Sequence, residues 1–205
     1  MRVVVTEAVG DAEAERLWAI FDDAFMSARE LSVSREHMDR VQFLALVGDP
    51  RIVKYVLEDD AGTVVGASLL TRDLDAVPWV SADFFAKRWP QECAEGRVFY
   101  SLYSFVDPQR QGADHFRLLI EPVVAAVARA RGVLGFDLTG HHADVVDLMA
   151  VMARRVPGGT VSDVTTLDTQ LYYAVTFGSG TEETTLDGRA INLDAEVAGS
   201  GRPKR

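Results

Sequence analysis

The chain has 205 residues, 48% of them hydrophobic and 25% charged, with a mean hydropathy of +0.03. These proportions exclude a wholly disordered or fibrous chain, and apolar runs such as Pro122–Ala128 are too short to cross a bilayer. With 31 acidic against 21 basic residues the net charge is −10, which opposes binding to a nucleic-acid phosphate backbone and favours neutral or cationic small molecules as partners.

The single cysteine, Cys93, has no partner for an internal disulfide. Met1–Glu7 combines one basic residue with a short apolar run and an early acid, so no secretory signal is read there and a reducing cytoplasm is the expected location.

Arg2–Glu7 is rich in valine and reads as a first strand. Asp11 is placed as the N-cap of a helix of about four turns, with Leu17, Ile20, Phe21, Ala24 and Phe25 on one face. A second helix opens near Ser34, His37 and Met38, carries Met38, Val41, Leu44 and Leu46, and stops at Gly48-Asp49-Pro50. Arg51–Glu58 and Thr63–Thr71 form a hairpin about the turn signal Asp59-Asp60-Ala61-Gly62. Arg72–Gly96 reads as an ordered excursion with one short helix near Ala82–Arg88. Arg97–Val106 is a strong strand, Asp107–Ala113 a loop and Asp114–Arg131 a helix interrupted by Pro122. Val133–Leu138 is a strand, Ala143–Arg155 a helix, and Thr160–Asp168 with Gln170–Phe177 two last strands.

The spacing predicts one domain over residues 1–178. Residues 179–205 are read as a C-terminal tail, with a weak hairpin about Asp187-Gly188 as the alternative, because that segment has little apolar surface to offset its ordering entropy. The strand–helix–strand crossover over Arg97–Leu138 requires a parallel pair. The fold class is therefore mixed α/β: a mostly antiparallel sheet with one parallel strand pair and helices on both faces.

The segment with chemical content is Val106-Asp107-Pro108-Gln109-Arg110-Gln111-Gly112-Ala113-Asp114. It follows a strand and opens a helix, so backbone N–H groups and the helix field can meet an anion, with Arg110 adding a charge and Gly112 allowing close approach. Read alone, it is equally a plain connecting loop with a surface arginine.

Together with the element order over residues 2–177, this segment resembles the GNAT superfamily of acyl-CoA-dependent N-acyltransferases. The family pattern here is V-x-P-x-x-R-x-x-G-x-G/A, which Val106, Pro108, Arg110 and Gly112 match in part. Pro108 and Arg110 stand one residue closer than in that pattern, and one glycine is present where two or three are usual. The resemblance implies acetyl-CoA or another acyl-CoA as co-substrate. Phe105 and Val106 would then hold the pantetheine arm, and Arg110, Gln111, Gly112 and Ala113 the pyrophosphate. Asp114, at the helix start, would compete for the same N–H groups.

A second family landmark, N-x-x-A-x-x-L-Y-E-K-x-G-F, aligns on Leu148 with His142 at the Asn position and Met149 at the Tyr position. Met149 cannot supply the proton that the family tyrosine gives to the leaving thiolate, so the acid falls to Tyr172, Tyr173 or water.

His142 and Asp137 are the candidate bases, since both follow or end the Val133–Leu138 strand where the parallel strands should part. His142 is equally read as half of a solvated His141-His142 pair, and Asp137 as a helix cap or the partner of an arginine. Adjacent histidines diverge, and no metal site is read from them. Tyr100 and Tyr103, three apart, are expected on opposite faces of their strand; Tyr103 is the candidate catalytic residue of the two. Trp79, Phe84, Phe85 and Trp89 form either a satellite core or a wall over an acceptor site.

Two functions follow. One is transfer of an acetyl or short acyl group to an amine of a small molecule, by an enzyme compatible with a homodimer. The other is a non-catalytic GNAT-like domain that binds a different ligand or a protein partner.

Overall fold

Runs of β-branched and aromatic residues form five strands: β1 (Arg2–Thr6), β2 (Ile52–Glu58), β3 (Val64–Thr71), β4 (Val98–Val106) and β5 (Val133–Phe136). The computed structural model describes residues 1–31, 38–110, 113–138, 151, 154–155, 163–169, 185–186 and 189–190, with the side chains of 27–31 and 113 left aside. The strands lie in the order β1-β2-β3-β4-β5. The first three pairings are antiparallel and β4–β5 is parallel, from Val98↔Val133 to Ser101↔Phe136. The crossover between the parallel strands is made by helix α5 (Ala113–Arg129), which contains Pro122 without being divided by it.

Helices cover both faces of the sheet, as expected. Helices α1 (Asp11–Leu31), α2 (Arg40–Gly48) and α3 (Ala82–Arg88) bury Leu17, Phe21, Phe43, Val47 and Phe85 against Val56, Ala67, Leu69 and Phe105. Helix α5 buries Leu119, Val123 and Val127 against Leu57, Val65, Leu70 and Phe99 on the other face.

Lys54 of β2 is fully buried, and its Nζ donates to the carbonyls of Glu7 (2.9 Å) and Asp49 (2.6 Å), tying the end of β1 to the α2–β2 turn. Burial pushes its amine below the ordinary lysine value.

Several expectations are corrected. Helix α1 is longer than four turns, because no glycine or proline follows Phe25 before Leu31, and it begins at Asp11 with the Gly10 carbonyl accepting from Ala14. Helix α2 starts at Arg40, not near Ser34. Asp39 caps it and Gln42 reaches back to the Asp39 amide, a capping box that fixes the start. The buried face is consequently Phe43, Leu46 and Val47, and Val41 is exposed. The excursion holds a second helix, α4 (Pro90–Ala94), with proline in its first turn. Residues 163–169 form no strand.

The chain divides into two compact units, Met1–Leu167 and Asp168–Arg205. Within the second, β6 (Thr185–Leu186) pairs antiparallel with β7 (Arg189–Ala190), the hairpin alternative for this segment. Of the expected helix Ala143–Arg155, only Val151, Arg154 and Arg155 are described, and all three are helical. Gln170–Phe177 lies outside the described residues. Among the described residues no helix is long and apolar enough to cross a membrane.

Candidate active site

A bulge in β4 shapes the site. Between the pairs Ser101↔Leu70 and Ser104↔Ser68, β4 advances three residues while β3 advances two. The extra residue lies in Leu102-Tyr103, and it reverses the alternation of side chains beyond it. Tyr100 and Tyr103 therefore both face the α1–α3 side of the sheet, where strict alternation had separated them. The parallel ladder ends at Ser101↔Phe136, and β4 runs on to Val106 after β5 has stopped.

At this parting of the strands the Tyr100 hydroxyl donates to Asp137 Oδ1 at 2.6 Å. Asp137, the first residue after β5, is exposed, whereas Tyr100 is 6% exposed. Asp137 is thus partnered by a tyrosine, not by an arginine. The Tyr100 ring is held by Phe85 edge-on at 6.2 Å and by the missing side chain of Gly135. A Cβ on Gly135 would lie 2.9 Å from both Phe85 Cζ and Tyr100 Cδ2.

Tyr103 lies further along the same face, half-buried between Phe21 (5.1 Å), Phe25 (5.8 Å) and Trp79 (5.8 Å). The aromatic cluster expected around Trp79 is thus split. Trp79 joins Tyr103, while Phe85 contacts Phe84, Trp89 and Tyr100. His142 lies outside the described residues.

Phe105 and Val106 are buried on opposite faces and pair with Ala67 and Gly66 of β3. Gly66 is required there, since a Cβ would come within 2.5 Å of the Phe105 carbonyl oxygen.

The loop that follows is organised by Asp107. Its amide donates to Val65 O, its Oδ1 accepts from the Gln109 amide (3.0 Å), and its Oδ2 accepts from Arg16 (3.1 Å). Its carbonyl accepts from the Arg110 amide, closing a 3-10 turn over Pro108–Arg110.

Arg110 Nη1 donates to Asp59 Oδ2 at 2.5 Å, across to the β2–β3 turn. Asp59 Oδ1 accepts from the Ala61 and Thr63 amides. The Thr63 amide and the Arg110 guanidinium hold the Asp59 carboxyl below the usual range. Gln111 and Gly112 lie outside the described residues, and Ala113 is the first residue of α5. Asp114 pairs with Arg117 at 3.3 Å, and His115 Nδ1 meets the Arg110 carbonyl at 2.6 Å.

The amides of Gln109 and Arg110 are thus turned toward Asp107. The Arg110 guanidinium is occupied by Asp59. Among the described residues no group of His, Cys, Asp and Glu is arranged to hold a metal ion.

Asp59 and Arg16 were missed by the sequence reading because their partners are 51 and 91 residues away. The role of Asp107 had a local signal, an aspartate directly before Pro108 at a turn.

Asp49, bonded by Arg51, and Glu95, bonded by Gln91 and Arg97, are held below the usual carboxylate range as Asp59 is. Near pH 4 the folded chain then binds fewer protons than the unfolded chain, so stability falls as pH drops through the ordinary values of 3.8 and 4.5. The melting temperature is expected to hold from neutral pH to about pH 5 and to decline below it. Arg110→Gln should lower it at pH 7 and approach the parent chain as pH falls from 3.8 through the lowered folded value, below which Asp59 is protonated in both states. A series of thermal melts across pH reads this directly.

No protein-family model matches the chain, and no curated protein is a significant match. Solved structures similar to it include Tetrahymena GCN5, with 10% identity over 73% of this chain and 78% of that one at a TM-score of 0.49. An N-acetyltransferase from Staphylococcus aureus Mu50 shows 14% identity over 72% and 80% of the two chains, TM-score 0.49. The ribosomal-protein-S18-alanine N-acetyltransferase from Escherichia coli shows 14% over 71% and 73%, TM-score 0.45. The chain has a GNAT-like fold. That statement rests on the strand order, the parallel β4–β5 pair and the two covered faces; likeness at this level carries no inference about activity.

Proposed function

We propose that the chain is an acyl-CoA-dependent N-acyltransferase that moves an acetyl or short acyl group to an amine of a small molecule. The observation that carries the reading is the parting of β4 from β5 after Ser101↔Phe136, with an exposed carboxylate, Asp137, at the opening. The acyl-CoA supplies an activated thioester carbonyl. The outer backbone edge of Phe105 and Val106 orients its arm, and Arg110, Gln111, Gly112 and Ala113 take its pyrophosphate. For this the Arg110 guanidinium exchanges Asp59 for a phosphate oxygen.

Asp137 accepts the proton that the amine nitrogen loses as its bond to the acyl carbon forms, with His142 as the other candidate base. Tyr100 positions Asp137, and a proton from water satisfies the thiolate released when the carbon–sulfur bond breaks. Tyr103, Phe25 and Trp79 form an aromatic wall on the acceptor side, and the net charge of −10 draws in a cationic amine, which loses its ammonium proton to solvent before it attacks.

A second reading, a non-catalytic domain with the same fold, is favoured by one observation: Asp107 and Asp59 satisfy loop donors that a diphosphate would use. The discriminating experiment is transfer of labelled acetyl from acetyl-CoA to a panel of primary amines by the full chain. Labelled amide is the expected product. Its absence across aliphatic and aromatic amines at millimolar concentration removes the enzymatic reading.

A further inference from the structure

A groove of about 460 Å³ opens on the α5 face, beside the start of β4. Phe99, which lines it, pairs with Leu134 near the beginning of the parallel ladder. The groove therefore lies at the opposite end of β4 from Phe105–Arg110 and on the opposite face from Tyr100 and Asp137. Its floor is apolar: Val53, Leu70, Phe99 and Ala126.

Two donors sit beside this floor, Tyr55 and Arg72. Tyr55 is 6% exposed, lines the groove, and has no hydrogen-bond partner for its hydroxyl among the described residues. Among the described residues no buried polar side-chain atom is left unsatisfied, so that hydroxyl is not sealed from solvent. Burial raises its phenol above the ordinary value against the pull of Arg129 and Arg72, so at neutral pH it is a donor.

The Arg72 guanidinium lies over the Phe99 ring at 4.7 Å. Among the described residues Arg72 has no carboxylate partner, in a chain with ten more acids than bases. Two carboxylates line the groove, Glu7 and Asp73. Asp73 is engaged by Arg51 at 3.5 Å, and Arg51 is itself bonded to Asp49.

We propose that this groove is a second binding site, for a small organic anion whose charged group meets Arg72 and the Tyr55 hydroxyl while its apolar body lies on Phe99 and Leu70. The volume suits a ligand of one ring or a short chain. A guanidinium stacked on an aromatic ring is pre-oriented to present its N–H edge to a carboxylate or phosphate. The apolar floor adds affinity that a bare inorganic ion would not gain. This inference does not depend on the acyl-transfer reading, since no residue is shared between the two sites.

The test is a titration of the nitrogen-15-labelled full chain followed by two-dimensional NMR. Benzoate is the probe, with inorganic phosphate and benzylammonium as parallel arms. Benzoate should shift the amides of Leu70–Arg72 and Phe99 saturably. Phosphate should shift the same amides with weaker affinity, and benzylammonium should not shift them. Arg72→Gln, at an exposed side chain, should weaken benzoate about tenfold, and Tyr55→Phe by a smaller factor. Arg72→Lys, which keeps the charge but loses the planar fork, is the second variant if either of these alters the melting temperature, and it should also weaken benzoate. Shifts that do not saturate, equal shifts from benzylammonium, or unchanged benzoate affinity in both Arg72 variants would overturn the proposal. Phosphate binding as tightly as benzoate would overturn the apolar half of it.

Discussion

Asp137→Asn should lower the rate of acyl transfer by about 10²- to 10⁴-fold, the usual contribution of a positioned general base. Asparagine keeps the size of the side chain and can still accept the Tyr100 hydrogen bond through its amide oxygen, but it cannot take a proton. Because Asp137 is exposed, the substitution should leave the melting temperature within a few degrees of the parent chain, so a lost rate reports chemistry. Tyr100→Phe should cost less, on the order of tenfold, because it removes the group that orients the carboxylate without removing the carboxylate. Steady-state rates at saturating acetyl-CoA measure both. A full rate in Asp137→Asn would move the base to His142 or to water.

The largest stability effect is expected at Phe21. Its side chain is fully buried in α1, with ring centroids 4.6 Å from Phe43, 4.8 Å from Phe25, 5.1 Å from Tyr103 and 5.5 Å from Phe105. Phe21 therefore joins α1, α2 and β4 in one packed unit. Phe21→Ala should destabilise the fold by about 3–5 kcal/mol, the cost of lost transfer energy plus the cavity. That is a large share of the roughly 5–15 kcal/mol that holds a domain of this kind together. Phe21→Leu, closer in volume, should cost about 1–2 kcal/mol. Urea unfolding measures both. The smaller variant should also loosen Tyr103, which loses its edge-on partner, and so weaken the acceptor wall before it unfolds the chain.

The strand pattern was legible because it depends on local chemistry. Val3–Val5, Ile52–Leu57 and Phe99–Val106 have the side chains a sheet buries, and the turn at Asp59–Gly62 has a glycine at φ 77° where only glycine is unstrained. The parallel β4–β5 pair followed from a helix of sufficient length between two strands. The start of α2 was not legible in its apolar positions, since Met38 extends them before the helix begins; the local signal is the capping pair Asp39 and Gln42, three apart.

The bulge at Leu102-Tyr103 had no local signal, since neither residue is a glycine and the register is set by pairing with Ser68 and Leu70 on another strand. With it went the side of the sheet that Tyr103 shares with Tyr100. The long-range pairs Arg110–Asp59 and Arg16–Asp107 were hidden for the same reason: a charged side chain does not announce which of many opposite charges the fold will bring to it.

Binding of acetyl-CoA, followed by titration calorimetry, tests the central claim most directly. The parent chain should bind one equivalent saturably. Arg110→Ala should bind about tenfold or more weakly, because a guanidinium–phosphate contact is lost. Asp59→Asn should bind more tightly than the parent, because Arg110 no longer leaves a carboxylate to reach the phosphate. No heat of binding at high micromolar acetyl-CoA in either the parent chain or Asp59→Asn would contradict the account.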